Sequence, residues 1–174
     1  QSSARNIALH LFLREEGENL KEAYVYYISA LKLYSPETAS LSQRSWRSPD
    51  RRLWPDVSTL SSLQHSIVGT PLAKQLNVCA VKESFGILRG YISRVVSMSK
   101  MAMFWGNEYL LERVLHRADV SLDRLGVELI RYQTDDDWSE ELDFTPIEEL
   151  LKEVAMLVGD LLKTLCKLAE KVGI

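Results

Sequence analysis

Glu18–Leu33, ENLKEAYVYYISALKL, has a layout that returns at Asn107–Leu122, NEYLLERVLHRADVSL. With Asn19 laid over Asn107, Ala30 falls on Ala118 and Tyr26–Tyr27 fall on Val114–Leu115. In the first copy Leu20, Ala23, Tyr24, Tyr27 and Leu31 recur at three- and four-residue steps, as on one face of a helix with about 3.6 residues per turn. The pairing predicts two related helical modules packed together, the first in residues 1–76 and the second in 77–174.

Every other periodic stretch is helical too. Ile7, Leu11 and Leu13 lead into Gly17, and the spacing predicts a helical hairpin turning near Glu16–Asn19. Residues 35–55 lose the apolar period and carry Pro36, Pro49 and Pro55, the composition of a long loop. Asp56 or Ser58 can cap a short helix bearing Leu60, Leu63 and Ile67, which Gly69 and Pro71 end. Two long helices are predicted next, over Val78–Phe104 and Asn107–Tyr132, joined tightly at Trp105–Gly106–Asn107. A last helix starts at Thr145-Pro146-Ile147-Glu148, which reads as a capping box with proline at the first helical position. Its stripe from Ile147 through Leu150, Val154, Leu161 and Leu165 to Leu168 is broad enough to meet more than one neighbour. No run alternates between hairpin turns, so no sheet is expected. The fold class is an all-α helical bundle.

A chain of 174 residues with 46% apolar composition can bury a real core. Its net charge of −3 argues against nucleic acid as a partner. No stretch is long and apolar enough to span a bilayer, and the first residues lack a signal-peptide cleavage pattern. The two cysteines, Cys79 and Cys166, sit in apolar helical patterns as small core residues, and there is no Asn-x-Ser/Thr acceptor. A reducing, cytoplasmic location is expected. His10, His65 and His116 lie on separate segments without metal-ligand spacing, and phosphate loops and nucleophile elbows are absent. No enzyme activity, cofactor or metal is expected of this segment.

The segment ALHLFLREEGENLKEAYVYYISALKLY resembles the first two helices of an MIT (microtubule-interacting and transport) domain, through Ala8, Asn19, Leu20, Glu22, Ala23, Tyr27, Ala30 and Leu31. Leu20 stands where that pattern has an aromatic residue and Glu18 where it has glycine. The second copy keeps Gly106, Asn107 and Ala118 and lacks the Glu-Ala pair. Two such bundles in succession resemble the tandem MIT region of autophagy-initiating protein kinases. That resemblance implies a kinase regulatory segment that binds a disordered scaffold subunit and is recruited to membrane assembly sites.

A module of this kind takes up short amphipathic helices in grooves between its own helices, and two grooves reinforce each other through effective concentration. Candidate groove residues are apolar or aromatic side chains that one core cannot bury together. Tyr24, Tyr26 and Tyr27 spread around more than half of a helix, so at least one faces outward. Met98, Met101 and Phe104, with Met103 and Trp105, form an adaptable cluster in the second module, and Leu115 aligns with Tyr27. The plainer reading places Tyr24, Tyr27 and the methionines in the core. Arg44, Arg47, Arg51 and Arg52, interleaved with Trp46 and Trp54, make the long loop a candidate contact for lipid headgroups or an acidic partner. Asp135–Asp137, Glu140, Glu141 and Asp143 read as a solvated linker whose last acids favour the start of the final helix.

Two other classes share parts of this pattern. Four helices with one long loop also describe a secreted four-helix cytokine, for which a Cys79–Cys166 bond is the discriminating observation. Arg5-Asn6-Ile7-Ala8-Leu9-His10 resembles the Arg-x-x-x-x-His signature of HEPN ribonucleases, although in that family the motif sits late in the bundle.

Overall fold

The computed structural model describes residues 2–32, 57–72, 74–101, 109–133 and 140–171. Five α-helices are present among them: α1 (Ser2–Lys32), α2 (Val57–Val68), α3 (Val78–Met101), α4 (Tyr109–Leu129) and α5 (Glu148–Lys171). Helices α1, α3, α4 and α5 form a ring in which each packs on the next and α5 closes back onto α1. Helix α2 lies on α5 and touches α1. The fold is an all-α bundle.

One hydrophobic cluster runs through all five helices. Leu20, Ile28 and Leu31 enter it from α1, Leu60, Leu63 and Ile67 from α2, Leu88 and Ile92 from α3, Leu122 and Leu125 from α4. Helix α5 meets α1, α2 and α4, and its buried stripe is correspondingly broad, from Leu151 and Val154 through Leu161 and Leu162 to Leu165 and Ala169. Each fully buried leucine or isoleucine side chain contributes roughly 1.5–3 kcal/mol relative to exposure, so this shared cluster dominates the stabilisation.

The expected turn at Glu16–Asn19 does not form, and α1 runs unbroken through Gly17. A glycine inside a helix costs only about 1 kcal/mol, which tertiary contacts outweigh. Arg94 of α3 donates to Glu16 at 2.6 Å and Lys21 pairs with Glu18 at 2.7 Å, so both residues flanking Gly17 are held where the helix must continue.

A small sheet does form, contrary to the expectation of none. Strands β1 (Leu76–Asn77) and β2 (Glu141–Leu142) pair antiparallel, Leu76 opposite Leu142. Two-residue strands are too short to show an alternating pattern. They tie the approach to α3 to the approach to α5, helped by the Val78 amide donating to the Glu140 carbonyl. Asn77 then caps α3, its Oδ1 accepting from the Ala80 amide at 2.8 Å.

The start of α5 also differs from the expected capping box. Thr145–Ile147 form a 3-10 turn with Pro146 near its start, and the acceptor is Asp143, whose Oδ1 takes both the Thr145 amide and its hydroxyl proton. These bonds, the hydroxyl's first, hold the Asp143 carboxyl below the usual range. Glu148 is thus available to accept the Leu72 amide at 2.6 Å, fastening the segment after α2 to the head of α5.

Candidate functional site

Tyr24 and Tyr27 lie wholly in the core. The Tyr24 hydroxyl donates to the Ala155 carbonyl at 2.7 Å and that of Tyr27 to Leu151 at 2.8 Å, one helical turn apart on α5. Burial, foremost, pushes both phenol pKa values up, with the Asp160 charge adding to the effect at Tyr24. Leu115 is buried in the same cluster. In this arrangement these three side chains join helices and offer no surface to a partner. Tyr26 is the tyrosine that faces outward, with its hydroxyl 3.2 Å from Glu83 of α3 as donor. Met98 and Met101 belong to the last turn of α3, but their side chains, like all of Phe104, Arg44, Arg47, Arg51 and Arg52, lie outside the described residues.

Among the described residues, the three most exposed large apolar side chains lie on α4 and just past its end. Its core seam is Leu115, Ala118, Leu122, Leu125 and Leu129, stepping by three and four residues. At about 100° per residue, the opposite side of the helix centres on Val120 and Val127. Val120 is 44% exposed and Val127 62%, and Ile130, just past the helix end, is 71% exposed. Arg113, Arg117, Arg124 and Arg131 share this outer side and are all exposed. With the valines they form a second regular series, Arg113, Arg117, Val120, Arg124, Val127, Arg131.

Charges on the outer side are sorted by angle. The arginines lie toward α5, where Arg124 sits 3.8 Å from Glu153 while Ser121 donates to the same carboxylate at 3.1 Å. Glu112, Asp119 and Asp123 lie toward α3, and Asp123 pairs with Arg89 of that helix. Arg131 pairs with Glu128 at 3.1 Å. These exposed pairs are each worth roughly 0–1 kcal/mol and are exchangeable with a partner's charges. Sequence reasoning missed this face because it followed only the core seam, although the second three-and-four series can be read from the same residues.

Among the described residues no group of His, Cys, Asp and Glu side chains is arranged to hold a metal ion, and no helix is long and apolar enough to cross a membrane. Cys79 and Cys166 are both thiols. No protein-family model matches the chain, and no curated protein or solved structure does either.

Proposed function

We propose that this chain is a non-enzymatic protein interaction module that recruits a partner through a short amphipathic helical motif. The observation that carries the reading is the pair of unburied valines, Val120 and Val127, in line on the outer side of α4 and flanked by charge, with exposed Ile130 just past the helix end. A lone exposed valine is ordinary surface, whereas aligned apolar residues suit a docked helix reading them at matching steps. The resemblance of Ala8–Tyr34 to an MIT domain supports the same class and extends it to a scaffold-binding regulatory segment of an autophagy-initiating kinase in the cytoplasm. Arg44, Arg47, Arg51 and Arg52 stand as a second candidate contact, for a membrane surface or an acidic partner.

Fluorescence anisotropy with labelled MIT-interacting helical peptides, including segments of the autophagy scaffold subunit, tests the reading. Saturable micromolar binding that Val127→Asp abolishes in a folded protein is the expected result. Binding unaffected by Val127→Asp would move the site elsewhere, and no binding by any peptide would remove the MIT assignment.

A second reading, the secreted four-helix cytokine, draws on the ring formed by α1, α3, α4 and α5. Receptor-driven cell signalling by the purified chain would favour it over the intracellular module, with Cys79 at the head of α3 and Cys166 near the far end of α5 remaining thiols.

A further inference from the structure

We infer that the occupant of the α4 outer face is an acidic amphipathic helix of a partner protein, lying along Val120 and Val127 with its carboxylates toward Arg113, Arg117, Arg124 and Arg131. This inference rests on the docking reading above and names the chemistry of the partner.

Charge complementarity selects this occupant. The chain as a whole carries −3, yet three exposed arginines on the α5-facing half of α4, and Arg131 just past its end, gather on one side. Arg124 approaches Glu153 only to 3.8 Å and Arg131 meets Glu128 in an exposed pair, contacts weak enough for a partner's carboxylates to replace. From Arg113 to Arg131 the series covers about 27 Å, which a partner helix of about five turns would match. Guanidinium groups pair in two-pronged fashion with carboxylates, so a row of them selects Asp and Glu at helical spacing.

An antiparallel second copy of α4 is a poorer occupant. Laid antiparallel, it would set arginine flank against arginine flank and acidic flank against acidic flank. An anionic bilayer is also poorer, because the apolar ribbon holds only valines and an isoleucine where interfacial helices present bulky anchors. Glu112, Asp119 and Asp123 on the other flank would face the headgroups with like charge.

The test compares two synthetic helical peptides with leucines at three- and four-residue steps, one flanked by glutamates and the other by lysines at the same positions. Binding to the full chain is measured by anisotropy at low and physiological salt. The glutamate peptide should bind about tenfold tighter, with an advantage that shrinks as salt rises. The double variant Arg117→Glu/Arg124→Glu, with its fold checked by circular dichroism, should reverse the preference. Equal affinity for both peptides, still lost in Val127→Asp, would overturn the acidic partner and leave the docking face standing. Binding by neither peptide would overturn both. Binding to phosphatidylserine vesicles that the charge reversal removes, without any preference for the glutamate peptide, would overturn the inference in favour of a lipid surface.

Discussion

Tyr24 and Tyr27 show how much a single hydroxyl can do inside a bundle. Each ring fills core volume while its O–H satisfies itself on an α5 carbonyl, so the pair fixes the register of α1 against α5 as well as burying area. Tyr24→Phe should cost about 1 kcal/mol at neutral pH, read from urea denaturation. The same residue makes an alkaline prediction. Its folded pKa is raised above an unfolded value of about 10, so the fold holds the neutral phenol. That contribution is complete below about pH 10 and is lost as pH rises further, at about 1.4 kcal/mol per pH unit for each such tyrosine. Stability measured between about pH 10 and 11 should therefore fall less steeply in Tyr24→Phe than in the wild type. Beside Tyr24 sits Gly159, where an added Cβ would lie 2.6 Å from the Gln64 side chain and 2.7 Å from the tyrosine oxygen. Gln64 cannot move away without losing its bonds to the Met156 carbonyl and the Asp160 carboxylate. Gly159→Ala should thus destabilise by about 1–3 kcal/mol in thermal melts, although alanine is the better helix former.

At the scale of an element, α4 carries two opposed seams and α3 carries two unused glycines. Leu122→Ala, on the inner seam, should cost about 2–5 kcal/mol, while Val127→Ala, on the outer one, should stay within about 0.5 kcal/mol. Chemical denaturation of the two variants checks that contrast, and a large loss in Val127→Ala would show the outer face to be structural. Gly86 and Gly90 are exposed on α3, and a Cβ added at either would meet nothing within 4 Å, so alanine there should stabilise by about 0.5–1 kcal/mol. The helix ends were partly legible. Pro146 announced the start of α5, yet the cap came from Asp143, because a 3-10 turn placed Thr145 where it donates to that carboxylate. The strands β1 and β2 were illegible, since two residues cannot display a period.

For the whole molecule, polar bonds cross between the two halves that the repeat suggests. Tyr24, Tyr27 and Gln64 from residues 1–76 bond to Ala155, Leu151, Met156 and Asp160 of residues 77–174. Residues that share one core unfold together, so far-UV circular dichroism and the near-UV tyrosine signal should report one coincident urea transition. Two separated transitions, or a stable fold in isolated 1–76, would show independent modules. The sequence by itself determined the helical class, the long helices α3, α4 and α5, the breadth of the α5 stripe and the burial of Leu60, Leu63 and Ile67, because these follow from local periodicity. Only the tertiary structure decided that α1 passes straight through Gly17, that the plainer of the two tyrosine readings holds, with Tyr24 and Tyr27 inside, and that α4 keeps an arginine and valine face in solvent. Periodicity names the faces of a helix, but which face is covered depends on neighbours brought from far along the chain.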